Sequence, residues 1–188
     1  MKSIERNRPN ATHPMTKAEI IQQLLERHNR FADFICALPD EDFVRCPEGK
    51  WTPGQQLDHI RRSVRPLALG LNLPKFVLKL VFGKANRPSR TYEAIVERYH
   101  LKLERGGRAT GPFIPKAVDL SKRASIRQAL ENAVISLTNK ISRYSEAQLD
   151  GIILPHPLLG KVTLREMMYF TIYHVQHHEE LTKKYLAM

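Results

Sequence analysis

The chain is poor in cysteine and glycine. Of its 188 residues only two are cysteine and nine are glycine. Two cysteines, Cys36 and Cys46, cannot form a disulfide framework, so we expect a reducing compartment and a cytoplasmic location. Little glycine together with 42% hydrophobic residues excludes a disordered or low-complexity chain and favours a folded, helix-rich one.

The chain also lacks a long uninterrupted apolar run. Its longest apolar stretch, residues 67–82, is broken by Pro74, Lys75 and Lys79, which argues against a membrane span, and we expect no membrane partner. Residues 1–15 are polar and contain no apolar segment typical of a signal peptide. We interpret them as a flexible N-terminal segment of one domain that covers residues 1–188.

Negative charge is scarce as well. Thirty lysines and arginines face nineteen acidic residues, and the formal net charge is +11. This excess could indicate a nucleic-acid-binding helical protein, but the basic residues are scattered along the sequence without interleaved aromatics or a recognised nucleic-acid motif. We therefore expect a solvated basic surface, no nucleic-acid partner, and a preference for anionic small molecules.

Four capping-box patterns predict the starts of four helices. In each, a serine or threonine is followed three residues later by glutamate or glutamine, and an amphipathic run begins there. The four pairs are Thr16 and Glu19, Thr52 and Gln55, Ser125 and Gln128, and Thr163 and Glu166. Four helices of about 20 residues, each with one apolar face, predict an all-α four-helix bundle.

About 50 residues separate the second and third predicted helices. This crossover contains a shorter periodic segment from Tyr92 to Leu103, which ends at Gly106 and Gly107 and predicts an accessory helix. A loop, residues 110–115, follows it. A crossover of this length allows the second and third helices to run in the same direction.

The last predicted helix carries two histidines four residues apart, His174 and His178. Side chains at that spacing lie on one helix face and can bind the same divalent ion. The alternative is a pair of buried histidines satisfied by hydrogen bonds. His59, at the border of the apolar face of the second helix, is the best third ligand. His177 points to a flank, and we expect a core role for His28.

Two motifs resemble the DinB-like (damage-inducible) family of metalloproteins. One runs from Trp51 to His59, and the other covers residues 155–166 and leads into His174 and His178. Taken together the resemblance spans residues 17–185. It implies a four-helix bundle in up-down-down-up order, with His59, His174 and His178 binding a divalent metal, zinc or nickel.

The resemblance also implies a metal-dependent enzyme that acts on a small molecule, because members include thiol transferases, isomerases and metal-dependent hydrolases. A hydrolase or a transferase that uses a low-molecular-weight thiol is therefore expected, with an anionic or thiol substrate and a homodimer among the expected assemblies. The alternative is a non-catalytic, stress-associated metal-binding protein with a basic partner-binding surface. Val175 follows His174 where the zincin motif carries its general base, which argues against zincin chemistry.

Overall fold

Four long helices pack around an apolar core, and four shorter helices and one β-hairpin surround them. The computed structural model describes residues 14–188, and the prediction of a flexible segment at residues 1–15 falls almost entirely outside them. The helices are α1 Lys17–Cys36, α2 Asp40–Val44, α3 Pro53–Gly70, α4 Lys75–Phe82, α5 Tyr92–Glu104, α6 Arg123–Ile141, α7 Glu146–Gly151 and α8 Leu164–Leu186. The strands are β1 Ile153–His156 and β2 Gly160–Thr163. The predicted all-α class and the accessory helix, α5, are confirmed.

Three of the four predicted capping boxes are formed. At Thr16, Thr52 and Thr163 the side-chain oxygen accepts from the N–H three residues on, and that residue's side chain accepts from the threonine N–H. The prediction at Ser125 is wrong. A turn of 3-10 helix, Leu120–Lys122, leads directly into α6, so the helix begins three residues earlier than predicted, and the Ser125 hydroxyl donates to the Lys122 carbonyl instead.

α3 and α6 run in the same direction. At their starting ends, Arg123 of α6 stacks on the ring of Phe43, and that ring lies directly against Gly54 of α3. At their other ends, the Lys140 ammonium of α6 donates to the Ala68 carbonyl of α3 at 2.7 Å. The long crossover therefore joins two parallel helices, as its length allows.

The other two long helices run opposite to that pair. Arg165 at the start of α8 donates to the carbonyl of Met15, just before α1, so α1 and α8 are parallel. Arg127 near the start of α6 pairs with Asp33 near the end of α1, so these two are antiparallel. The order is up-down-down-up, as the family resemblance implies.

α8 is the central element of the molecule. Every residue from Leu164 to Val175 is buried, because α8 packs against α1, α3, α5, α7 and the hairpin. A helix buried on all sides places its polar side chains inside the protein. Any polar group on α8 must therefore find a partner in the interior or bind a ligand.

The hairpin and three short helices, α2, α4 and α7, were not predicted. β1 and β2 form an antiparallel hairpin in which Ile153 pairs with Thr163, and β2 begins directly after the turn with Gly160 at φ 71°, a conformation that suits glycine. α4 forms within the interrupted apolar stretch, because Pro74 precedes rather than breaks it. Within residues 14–188, no helix combines the length and apolar character needed to cross a bilayer.

Candidate metal centre

The structure brings His59, His174 and His178 together. His59 lies two turns into α3, and the two α8 histidines lie one turn apart on the face that α3 covers. The Nε2 atom of His174 is 3.3 Å from that of His59 and 3.1 Å from that of His178. All three side chains are buried, and they form one group of potential metal ligands.

Hydrogen bonds on the far side of two of these rings fix which nitrogen carries the proton. The Nδ1–H of His59 donates to the main-chain carbonyl of Phe113 at 2.7 Å, and the Nδ1–H of His178 donates to the side-chain oxygen of Gln56 at 2.5 Å. A carbonyl oxygen accepts but does not donate, so Nδ1 holds the proton in both rings. Their Nε2 lone pairs consequently point at each other and at His174.

Burial keeps the three imidazoles neutral. Desolvation lowers the pKa of His59 and lowers the pKa values of His174 and His178 well below the ordinary 6.5, and the neighbouring imidazoles lower the latter two further. Neutral imidazole is the form that binds metal. The site is thus ready for a cation without first losing a proton.

The protein atoms alone do not satisfy this cluster. His174 Nε2 faces two lone pairs but can donate a single proton to one of them, so at least one lone pair lacks a donor among the three rings. An unmet buried acceptor costs free energy. A cation shared by three lone pairs removes that cost, which is why the geometry fits a metal better than a hydrogen-bonded histidine core.

The histidines lie at one end of a cavity of about 660 Å³. The cavity follows α3 from Gln56 to Leu71, about 20 Å along the helix axis. Its walls are mostly apolar, and the side chains that form them include Leu67, Leu78, Phe82, Leu103, Leu154, Leu158, Met167 and Phe170. A core that only had to fold would be filled with side chains, so this space indicates room for a ligand.

The other histidines of residues 14–188 are not in the metal group. His28 of α1 lines the cavity, and its Nδ1–H donates to the Leu24 carbonyl while its buried Nε2 lacks a protein partner. His177 lines the cavity on a flank of α8, as its position on the helical wheel predicted. His156 accepts backbone N–H groups through Nδ1, and His100 forms a hydrogen bond with Tyr173.

The acidic side chains of α3 and α8 are engaged elsewhere. Asp58 pairs with two arginines of its own helix, Glu166 is held by arginines of the crossover, and Glu179 pairs with α1. None belongs to the group around the three histidines, so no carboxylate of the described residues stands there as a general base.

Two parts of the site were not predicted from the sequence, the side chain of Gln56 and the main-chain carbonyl of Phe113. Gln55 serves the capping box of α3, and the neighbouring Gln56 contacts the site. The signal for Gln56 was its position three residues before His59, on an adjoining helix face. For the Phe113 carbonyl there was no signal, because any residue supplies that atom.

The sequence model of the DinB superfamily matches residues 23–181. No curated protein matches the chain. The match covers most of the sequence, so the chain belongs to the DinB superfamily, and the resemblance seen in its motifs is confirmed. Superfamily membership and the buried three-histidine group together fit a metal-binding protein.

Proposed function

We propose that this member of the DinB superfamily is a metal-dependent enzyme in which His59, His174 and His178 bind one divalent ion, zinc or nickel. The observation that carries the proposal is the convergence of three Nε2 atoms at the end of an apolar cavity. The substrate is a small, largely apolar molecule. The reaction is a hydrolysis or a transfer to a low-molecular-weight thiol.

The spacing of the nitrogens supports the metal. Zinc binds imidazole nitrogen at about 2.0–2.1 Å, and in a tetrahedral site two such nitrogens are about 3.3 Å apart. The two Nε2 separations of 3.3 and 3.1 Å match this value. The hydrogen bonds from Nδ1 to Phe113 and Gln56 hold the rings in this orientation, as partners of metal-bound histidines do.

The number of ligands supports catalysis over the non-catalytic alternative. Structural zinc sites are closed by four protein ligands, whereas catalytic ones have three and an open position. Among residues 14–188 no fourth histidine, cysteine or carboxylate joins the group. The ion would supply a Lewis acid that polarises the reacting group of the substrate.

The cavity supports an apolar substrate. Its leucine and phenylalanine walls bind apolar surface and exclude water, and its length suits an extended molecule whose reacting group reaches the histidines. Two polar groups of the wall would position such a molecule. The free Nε2 of His28 accepts a hydrogen bond, and Arg108 can meet an anionic group, although its guanidinium already donates to main-chain carbonyls.

Metal content tests the ligand set. Purified protein, dialysed and analysed for metals, should contain about one equivalent per chain, and the His174→Ala/His178→Ala variant should contain almost none because two of three ligands are lost. His177→Ala is the matched control on the same helix and should retain the metal. Equal metal content in wild type and the double variant would contradict the assignment.

Activity tests the enzyme. Wild type and the His59→Ala variant are assayed with aryl esters of increasing acyl length, and with an electrophilic aryl halide plus a low-molecular-weight thiol. We expect one reaction to be at least a hundredfold faster with wild type, and the longer ester to be preferred if it is hydrolysis. Metal binding without either reaction would favour the non-catalytic alternative.

A further inference from the structure

The last turn of α3, the turn before α4 and α4 itself expose an apolar ridge, which consists of Leu69, Leu73, Phe76, Leu80 and Val81. Phe76 is 71% exposed, Leu80 82% and Val81 61%. Other exposed large apolar residues of the described chain are scattered singly over distant elements. Scattered residues are ordinary, but a contiguous exposed patch marks an interaction surface.

The two sides of α4 are both apolar. Phe76 and Leu80 are four residues apart and share the outer side, while Leu78 and Phe82 line the cavity on the inner side. Side chains as exposed as Phe76 and Leu80 leave water only when the outer side of α4 meets an apolar partner. The ridge therefore needs an apolar partner.

The charge around the ridge selects the partner. Between Asp58 and Glu93 the sequence has no acidic residue but eight basic ones, Arg61, Arg62, Arg65, Lys75, Lys79, Lys84, Arg87 and Arg90. Ion pairs with Asp58 and Glu166 neutralise four of these. Among the described residues no ion pair involves Arg65, Lys79 or Lys84, and the first and last of these are exposed. The ridge thus has a positive rim.

We propose that the apolar ridge of α4 docks on the surface of an anionic phospholipid bilayer. Phe76, Leu80 and Val81 enter the boundary between head groups and acyl chains, and the lysines of the rim contact lipid phosphates. A second copy of the chain would bring two positive rims together, which costs free energy. The sequence led us to expect no membrane partner because it offers no span, but surface docking requires none.

Docking would place the cavity next to the bilayer. The inner side of α4 forms the wall at the end opposite the histidines, so a lipid-soluble molecule has a short apolar path from membrane to cavity. This consequence rests on the proposed function. The docking itself rests only on the ridge and its rim and would survive if the enzyme proposal failed.

Vesicle co-sedimentation tests the docking. Full-length protein is mixed with vesicles of phosphatidylcholine alone, or with roughly one third phosphatidylglycerol added, at low and high salt. We expect binding to the anionic vesicles that weakens with salt. Phe76→Ser/Leu80→Ser should bind at least tenfold more weakly, since each large apolar side chain contributes about tenfold or more on burial. Lys79→Glu/Lys84→Glu should lose at least tenfold on anionic vesicles only.

Two controls separate docking from its alternatives. Ile135→Ser removes an exposed apolar side chain of α6, far from the ridge in sequence, and should bind as wild type does. Thermal unfolding checks that each variant is folded. The proposal is overturned if wild type ignores anionic vesicles, if the ridge variant binds as well as Ile135→Ser, or if light scattering shows a dimer that Phe76→Ser/Leu80→Ser dissociates.

Discussion

The first turn of α8 and its middle bury polar side chains in different ways. At its start, Arg165 is matched by Asp150 and Glu146, and Glu166 is matched by Arg87 and Arg90. Two turns or more further on, the histidines have no opposite charge in their group, only one another. The α8 side chains of both clusters are buried, Arg165 and Glu166 as well as His174 and His178.

The difference separates polar groups that hold the fold from polar groups that await a ligand. At Glu166, burial acts to raise the pKa, but hydrogen bonds from Arg87, Arg90 and Thr163 outweigh it and hold the pKa below 4.5. At the histidines, burial lowers the pKa and no carboxylate opposes it. In the first turn, protein groups satisfy the buried charges of Arg165 and Glu166. In the middle of the helix, the lone pairs of the histidines are all satisfied only when a cation binds.

The largest effect should come from removing the ion pairs of Glu166 in the first turn of α8. Glu166→Ala leaves two arginines and two backbone N–H groups without their acceptor, and we expect a loss of about 3 kcal/mol in the free energy of unfolding. Glu166→Gln keeps the shape and should lose less. Urea unfolding of the metal-free protein measures both, with a substitution of the exposed Glu97 of α5, Glu97→Ala, as control. Metal affinity should stay unchanged in all three variants. A loss of metal affinity in Glu166→Gln would mean that the Glu166 ion pairs and the histidine group are coupled.

A smaller effect should follow from removing the acceptor of His178. Gln56→Leu leaves Nδ1–H without its partner and the ring free to turn, so zinc affinity should fall about ten- to a hundredfold. Gln56→Glu keeps an acceptor at the same place and should restore the affinity. Calorimetric titration with zinc measures both. Unchanged affinity in Gln56→Leu would show that packing alone orients the ring.

The smallest expected effect is the contribution of His28 to the loss of folding stability at acid pH. Burial lowers the pKa of His28 from 6.5 to about 4, so between these pH values the unfolded chain binds a proton that the folded chain does not. Stability is therefore full above pH 6.5 and falls as the pH falls towards 4. His28→Leu should flatten this slope and recover about 1–2 kcal/mol at pH 5 relative to pH 7. Urea unfolding of the metal-free proteins across this range is the measurement, and parallel slopes would contradict the assignment.

Much of this molecule was predictable because its signals are local. Capping boxes and apolar periodicity gave the four long helices, and the spacing of His174 and His178 put both on one face. The error at Ser125 came from a turn that extends the helix backwards, which a capping pattern does not report. The hairpin was not predicted because its two strands have only four residues each and are joined by a leucine-rich turn. Gln56 needed the docking of α3 on α8, which is tertiary information.

The acceptor of the His59 Nδ1 proton is a main-chain carbonyl, so this hydrogen bond does not restrict which amino acid stands at position 113. Any amino acid at position 113 supplies the same oxygen, so its side chain is free to drift. What must be inherited is the path of the loop that delivers the carbonyl: its length after α5 and the turn at Gly111, whose φ of 55° suits glycine. An insertion or deletion there should disturb the metal centre more than a replacement of Phe113.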